Sequence, residues 1–377
     1  MTAGYDAPAT RLDVDGRWPM QLNPALIGLT CFACQTPHTI HKLQTVCERC
    51  GMPLRVDYDW SKVRLSPAEL RGRVSSLWRY REVLPLAADE VTLGEGFTPL
   101  VAVDARTWIK DEARNPTGSF KARGMTAAVS MARALGAKAL MAPSAGNAAG
   151  ALAAYGAAAK LPVLVVMPSD TPRAFVDECR HYGADVRLVD GTIADAGKWL
   201  REHGPRDWFD LSTLKEPYRV EGKKTMAYEL YEQLDGALPD VIVYPTGGGT
   251  GLVGMWKAFD EMRALGWPLP TLPRLVSVQA AGCAPVVAGL RANATRTEPW
   301  PNATTRAWGL RVPSPIGGFL CLSAIRDTGG TAIAVEEAAI EPAAARLAAM
   351  TGVDVCPEGG AAWAAVEELR TRGEIGT

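Results

Sequence analysis

A single lysine, Lys121, stands between a Gly-Ser-Phe turn and an apolar run that is typical of a helix. The segment from Asn115 to Met125 reads Asn-Pro-Thr-Gly-Ser-Phe-Lys-Ala-Arg-Gly-Met. A lysine held in a packed pocket loses hydration, which lowers the pKa of its ammonium group. The resulting amine can attack a carbonyl near neutral pH. This pattern predicts that Lys121 is a catalytic nucleophile and base.

A second segment is a run of small residues that follows an apolar strand, Val241 to Pro245, and precedes a helix. Backbone N–H groups in such a turn can converge on an anion, and the helix dipole adds to the attraction. A tight strand–helix connection is the alternative, but one or two glycines would be enough for it. The run lacks the dinucleotide pattern and the P-loop lysine, which favours a phosphate monoester. The predicted phosphate-binding residues are Gly247, Gly248, Gly249, Thr250 and Gly251.

A third segment, Ser144-Ala145-Gly146-Asn147, also lies between a predicted strand and an Ala-rich helix. The N–H groups at the start of that helix suit a carboxylate or another small anion. Asn147 could equally be a helix N-cap, since asparagine is a preferred cap residue, and the two roles are compatible.

Four of the eight cysteines lie within the first fifty residues, as two Cys-x-x-Cys pairs. Two such pairs, a dozen residues apart, have the spacing of a zinc ribbon, and a closed shell of four sulfurs indicates a structural metal. A redox pair is the weaker interpretation because no strand–helix pattern surrounds the motif. His38 and His41 lie between the pairs and are predicted to be surface residues. The predicted zinc ligands are Cys31, Cys34, Cys47 and Cys50.

Short apolar runs alternate with helical patterns through the middle of the chain, which predicts parallel α/β layers. A further helix is predicted from Ser66 to Leu84, with an apolar face through Leu70, Val74 and Leu77. The predicted strands are 139–142, 163–167, 186–189, 241–244 and 275–278. The predicted helices are 121–135, 148–159, 172–182, 193–203 and 222–234.

In this order and at these distances, the three segments resemble the threonine synthase and threonine dehydratase group of pyridoxal-phosphate enzymes, called fold type II. The resemblance runs from about Leu93 to Ala362 and includes the segment Glu95-Gly-Phe-Thr-Pro-Leu100. It implies that Lys121 bears the cofactor as an imine, that Asn147 meets the ring hydroxyl, and that the glycine run holds the phosphate. The substrate-binding residues that it implies are Thr98, Ser144, Ala145 and Gly146.

The family's architecture implies a two-lobed α/β fold with an N-terminal zinc ribbon at residues 26–60. Residues 61–125 and 220–377 would form the large cofactor-binding lobe, and residues 126–219 the small mobile lobe. The segment Tyr218 to Thr225 resembles a threonine synthase segment near the lobe junction and is interpreted as structural. The family also implies a homodimer.

The reaction that the resemblance implies is that of threonine synthase, which converts O-phospho-L-homoserine and water to L-threonine and phosphate. Several polar positions of the family are apolar or glycine here, namely Ala122, Ala148, Ala149, Gly248 and Gly251. The substrate phosphate would therefore need compensating charge from Arg114, Arg123 or Lys223. A threonine or serine dehydratase, a β-replacement enzyme resembling cysteate synthase, and a non-catalytic zinc-ribbon binding protein remain alternatives.

Relatives continue beyond the helix start at Pro357 into a strand and turn that face the pyridine nitrogen, and this sequence contains no matching segment. No residue is therefore predicted for that role. The net charge of -1 and the absence of a basic run argue against nucleic acid and anionic membranes as partners. Residues 1–13 lack the apolar core of a signal peptide, which predicts a cytoplasmic protein. The family resemblance implies a small amino-acid substrate as its partner.

Overall fold

The computed structural model describes residues 21–376, which leaves the predicted absence of a signal peptide in residues 1–13 outside the described part. None of the described helices is both long and apolar enough to cross a membrane. The strands are β1 (Leu26–Cys31), β2 (Pro37–His38), β3 (Leu54–Tyr58), β4 (Leu100–Asp104), β5 (Thr107–Lys110), β6 (Leu140–Pro143), β7 (Val163–Pro168), β8 (Asp185–Val189), β9 (Phe209–Asp210), β10 (Val241–Pro245), β11 (Arg274–Ala280) and β12 (Thr331–Val335). The α-helices are α1 (Lys121–Ala134), α2 (Asn147–Ala158), α3 (Arg173–His181), α4 (Ile193–His203), α5 (Tyr218–Gln233), α6 (Thr250–Ala264), α7 (Pro285–Arg291), α8 (Gly318–Asp327), α9 (Glu337–Thr351) and α10 (Pro357–Thr371).

Two parallel sheets form the body of the described chain, one with the order β8-β7-β6-β9 and the other β10-β11-β12. The five strands predicted between residues 139 and 278 are all present. Ligand-binding turns of parallel α/β layers follow the carboxyl ends of their strands. The Ser144–Asn147 turn follows β6, and the glycine run follows β10, so each candidate turn lies at such an edge.

The N-terminal module is a small antiparallel sheet with the order β2-β1-β3. The phenol of Tyr58, at the end of β3, donates a hydrogen bond of 2.7 Å to Glu221 on α5. Lys224 and Lys257 neutralise this buried carboxylate. The module is therefore attached to the body through a buried polar contact as well as through apolar packing.

The helix predicted from Ser66 to Leu84 is wrong. The chain forms two separate 3-10 segments there, Pro67–Leu70 and Leu77–Val83. Gly72, between them, has φ +80°, a left-handed conformation that ends a right-handed helix. Val74, assigned to the apolar face, is 81% exposed.

Helix α1 is held against α5 by a buried ion-pair network around Glu229. The Arg123 guanidinium on α1 donates to Glu229 at 2.8 Å and to Glu112 at 2.6 Å. Lys110, at the end of β5, lies 2.7 Å from the same Glu229 carboxylate. Burial opposes ionisation of Glu229, yet Arg123 and Lys110 hold the pKa of its carboxyl well below the ordinary value. The network positions the first turn of α1, where Lys121 lies.

We expect Arg123→Leu to reduce the free energy of unfolding by about 3–5 kcal/mol, because it leaves buried carboxylates without their cation. Urea denaturation followed by circular dichroism measures this change. Arg173→Leu is the control, since the Arg173–Asp177 pair is exposed and contributes less than about 1 kcal/mol. Equal small effects of the two substitutions would show that the network does not hold α1 in place.

Candidate active site

Lys121 is the first residue of α1 and follows a strained turn. Thr117 and Gly118 both have positive φ, +60° and +63°, and such a conformation is uncommon for threonine. The turn lies directly before α1. The Lys121 ammonium lies 3.8 Å from the centroid of the Phe120 ring. Burial lowers the pKa of Lys121 to about 8, with Glu358 opposing the shift and Arg219 adding to it. The side chain is therefore a poised amine, as its motif predicts.

The glycine run presents a row of N–H groups at the start of α6. Among the described residues, the N–H groups from Gly247 to Gly251 donate no hydrogen bond to the protein, although most of this loop is buried. The first N–H groups of any helix lack an intrahelical acceptor, and a buried row of them that finds no other protein acceptor is typical of an anion site. The loop is therefore ready to accept an anion at the positive end of the α6 dipole.

The glycines themselves do not distinguish an anion site from a tight turn. A Cβ at Gly247 would lie 2.2 Å from the carbonyl oxygen of Gly309, and one at Gly249 would lie 2.1 Å from the Cys321 sulfur. A Cβ at Gly251 would meet the Tyr244 hydroxyl at 1.9 Å. Packing against the Gly309 backbone accounts for Gly247, and side chains crowd Gly249 and Gly251, so the number of glycines does not decide between the two interpretations. The unpaired N–H groups carry the anion-site interpretation.

Two buried cations on α5, Arg219 and Lys223, flank the loop. Lys223 donates to the Thr250 hydroxyl at 2.6 Å, and Arg219 donates to the Thr213 hydroxyl at 3.2 Å. A Cβ at Gly248 would lie 2.7 Å from the Thr213 methyl group, so Thr213 borders the loop directly. Neither cation has a carboxylate within salt-bridge distance in residues 21–376. Two positive charges next to unpaired N–H groups strengthen the case for an anion.

The segment from Tyr218 to Thr225, predicted to be structural, makes two different sets of contacts. Glu221 and Lys224 belong to the buried ion cluster that meets the N-terminal module. Arg219 and Lys223, one helical turn apart, lie on the side of α5 that borders the glycine run. The four-residue spacing of these cations is a signal that could have identified them.

The Ser144–Asn147 turn opens α2, with Gly146 as the N-cap and Asn147 as the first helical residue. Asn147 is therefore not the cap that sequence analysis allowed as an alternative. Its side chain makes no hydrogen bond within residues 21–376, which leaves the amide available to a ligand. A Cβ at Gly146 would have no atom within 4 Å, so this turn borders open space.

Thr98 has its hydrogen bonds occupied within the protein. Its hydroxyl donates to Glu112 at 2.7 Å and accepts from Arg123 at 3.1 Å, and the residue is buried. The structure thus places Thr98 in the network behind α1. Its assignment as a substrate-binding residue stays a prediction.

The four N-terminal cysteines converge on one point. Their Sγ atoms lie within 4.8 Å of one another, with Cys31–Cys50 at 3.4 Å and Cys34–Cys47 at 3.6 Å. Sulfurs that share one zinc at about 2.3 Å are separated by about 3.8 Å, close to these distances. The ring of His38 lies 3.3 Å from the Cys47 sulfur, as an outer partner of a ligand would. The cluster could hold a metal ion.

Residues 91–377 match the family described as pyridoxal-phosphate dependent enzyme. The chain belongs to this family. It is 34% identical to the threonine synthase of Methanosarcina acetivorans and 32% identical to that of Methanocaldococcus jannaschii, over 92% of this chain and 88% of each relative. It is also similar to the solved T.th. threonine deaminase, with 28% identity and a TM-score of 0.58, over 70% of this chain and 82% of that one. The enzyme is therefore a pyridoxal-phosphate dependent lyase related to threonine synthases, which excludes the non-catalytic alternative.

The residues of the site fit this cofactor. Lys121 supplies an amine of lowered pKa for the cofactor aldehyde, and the row of N–H groups at α6 suits its phosphate. Arg219 and Lys223 add positive charge and have no carboxylate at salt-bridge distance among the described residues, although the buried Glu216 acts on both from farther away. We expect the cofactor to lie between Lys121 and α6.

Gly146→Ala should affect substrate binding, whereas Gly247→Ala should affect the stability of the fold. Gly146→Ala should leave the free energy of unfolding within about 0.5 kcal/mol of the wild type, because its Cβ enters open space. It should raise the KM for the amino-acid substrate about tenfold or more, because the added methyl group would occupy the space in which the substrate carboxylate meets the turn. Gly247→Ala should destabilise the fold by about 1–3 kcal/mol, because its Cβ would collide with the Gly309 carbonyl. Thermal unfolding and steady-state kinetics check both. An unchanged KM for Gly146→Ala would remove the turn from the substrate site.

Proposed function

We propose that the enzyme is a threonine synthase, which converts O-phospho-L-homoserine and water to L-threonine and phosphate. The row of buried, unpaired N–H groups at α6 and the half-buried Lys121 support the cofactor part of this assignment. The 34% identity to the Methanosarcina acetivorans threonine synthase over most of both chains supports the choice of reaction.

In this proposal, bound pyridoxal phosphate supplies an electron sink for negative charge at the substrate α-carbon. The Nζ atom of Lys121 holds the cofactor in the resting enzyme and then moves the α-proton, which its lowered pKa favours near neutral pH. The N–H groups at the start of α2, from Ser144 to Asn147, bind the substrate carboxylate. The lobe at residues 126–219 closes over the site and excludes water.

The substrate phosphate requires a second anion site, and Arg219 is the best-placed cation for it. Arg123 is committed to Glu112 and Glu229, and the exposed Arg114 pairs with Asp111. Arg219 is buried without a carboxylate at salt-bridge distance, and its Nε atom has no hydrogen-bond partner. With a phosphate bound there, the Arg219 guanidinium would replace the donors that Ala148 and Gly248 do not provide.

A threonine or serine dehydratase is the second candidate. It is favoured by the apolar residues Ala122, Ala148 and Ala149, which cannot donate hydrogen bonds to a phosphate leaving group. The 28% identity to the T.th. threonine deaminase points the same way. A β-replacement enzyme resembling cysteate synthase has no such observation in its favour.

Kinetics with competing substrates tests the proposal. We expect kcat/KM for phosphate release from O-phospho-L-homoserine to exceed kcat/KM for keto-acid release from threonine and from serine by about 100-fold. Lys121→Ala should abolish turnover and the borohydride-reducible link to the cofactor. The reverse order of substrates would establish a dehydratase, and a reducible link on another lysine would remove Lys121 from its role.

We also propose that the four cysteines bind one structural Zn²⁺ and that residues 26–60 form a zinc ribbon. Four sulfur ligands fill a tetrahedral shell, which leaves no position for substrate. The remaining parts of the proposal follow from the family resemblance: the lobe boundaries at residues 61–125, 126–219 and 220–377, homodimer assembly, and a cytoplasmic location.

We expect the purified protein to contain one zinc ion per chain and Cys34→Ser to lose it. Without the ion, amide hydrogen exchange should accelerate between residues 26 and 59, because metal binding contributes directly to the folding of so small a module. Cys356→Ser, outside the cluster, should keep the zinc. Metal-free protein with slow exchange in this module would contradict the assignment.

A further inference from the structure

Lys223 differs from the other fully buried lysines of the described chain. Lys224 and Lys257 each lie within salt-bridge distance of Glu221 and Glu261. Lys223 is only 1% exposed and has no carboxylate at such a distance within residues 21–376. Burial without a carboxylate at this distance favours the neutral amine, whereas an anion bound next to it would favour the charged form.

The position of the Lys223 amine is set by its neighbours. Its Nζ donates to the Thr250 hydroxyl at 2.6 Å and lies 4.4 Å from the centroid of the Phe120 ring. Its stem passes close to Gly124, where an added Cβ would lie 3.1 Å from the Lys223 Cε atom. The amine is therefore held between Phe120, the residue before Lys121, and the first residue of α6.

No group of the described chain neutralises this charge at hydrogen-bond distance. Burial lowers the pKa of Lys223 well below its ordinary value, and the nearby cations Arg219 and Lys121 lower it further. The carboxylates of Glu216 and Glu112, beyond salt-bridge distance, oppose this shift. Thr250 can accept only through its hydroxyl, which leaves donor capacity on the ammonium unused. The groups next to Thr250 are the unpaired N–H groups of the glycine run, which are donors as well. An incoming anion would satisfy both sets of donors.

We propose that Lys223 is the counter-ion of the cofactor phosphate, pairing with it while the N–H groups from Gly247 to Gly251 bind its oxygens. This inference rests on the proposed function, in that the loop must hold the cofactor. We assign Lys223 to the cofactor phosphate because its hydrogen-bond partner, Thr250, belongs to that loop. Arg219, which contacts Thr213 instead, is left for the phosphate of the substrate.

Binding of pyridoxal phosphate and of pyridoxal to the apoenzyme, followed by absorbance, separates the phosphate contact from all others. We expect Lys223→Met to weaken pyridoxal phosphate about 10- to 100-fold, as for the loss of one charge-assisted hydrogen bond, and to leave pyridoxal unchanged. Lys224→Met is the matched control, since it removes the adjacent buried lysine. It should lower stability without changing the ratio of the two affinities.

Thermal unfolding of the apoenzyme provides a second readout. Lys223→Met should be at least as stable as the wild type without cofactor, because it replaces a buried amine that has no carboxylate partner with an apolar side chain of similar size. It should gain less stability from pyridoxal phosphate. A less stable apoenzyme, or equal weakening of both ligands, would mean that Lys223 is structural and would overturn the proposal. Unchanged cofactor affinity with a raised KM for O-phospho-L-homoserine would overturn it in favour of the substrate phosphate.

These measurements need no turnover, so they separate this inference from the proposed reaction. The enzyme could fail to use O-phospho-L-homoserine while Lys223→Met lowers only the affinity for the phosphorylated cofactor. In that case the proposed reaction is wrong and the proposed role of Lys223 is supported. If the wild type binds pyridoxal as tightly as pyridoxal phosphate, the loop does not hold the phosphate and the role of Lys223 falls with it.

Discussion

The buried carboxylate of Glu229 is the constraint on which the arrangement of the site depends. It lies on α5 and is neutralised by Arg123 of α1 and by Lys110 at the end of β5. It also accepts the N–H of Phe97 at 2.7 Å, so the loop before β4 meets the same group. Because an unpaired charge at this depth would be costly, these elements can pack in few arrangements. Lys121, two residues before Arg123, is positioned as a consequence.

Helix α5 separates two kinds of buried charge. On one side, Glu221 and Lys224 form a complete ion cluster with Glu261 and Lys257, and Tyr58 of the N-terminal module joins it. On the other side, the positive charges bordering the glycine run have no acidic partner at salt-bridge distance in the described chain. A satisfied cluster stabilises the fold, whereas an unsatisfied one selects a ligand of opposite charge. One helix therefore supports both the packing of the body and the proposed anion site.

The glycine run shows how packing and binding can impose the same residues. Backbone and side-chain atoms lie so close behind Gly247, Gly249 and Gly251 that a Cβ would collide with them. Their N–H groups lie at the start of α6 and have no protein acceptor among the described residues. Glycine content alone was therefore weak evidence for a phosphate site, and the state of the N–H groups is the stronger evidence.

Features that depend on a few neighbouring residues could be predicted from the sequence. The lysine turn, the strands of both parallel sheets and the two Cys-x-x-Cys pairs could be predicted because turn residues, apolar runs and ligand spacing act over a few neighbouring residues. The helix expected from Ser66 to Leu84 failed because Gly72 adopts a left-handed conformation that an apolar period does not reveal.

The sequence by itself thus predicted the type of chemistry: an amine of lowered pKa, a turn for a phosphate and four sulfurs for a metal. Only the tertiary structure decided which charged residues are already neutralised. Arg123 and Lys223 look equally available in the sequence, yet Arg123 is bound between two glutamates while Lys223 has only a threonine hydroxyl. The Arg123 partner Glu229 is more than a hundred residues away in the chain, and the Lys223 partner Thr250 is on another helix. Charge pairing in a buried site is set by proximity in space, which the sequence alone does not show.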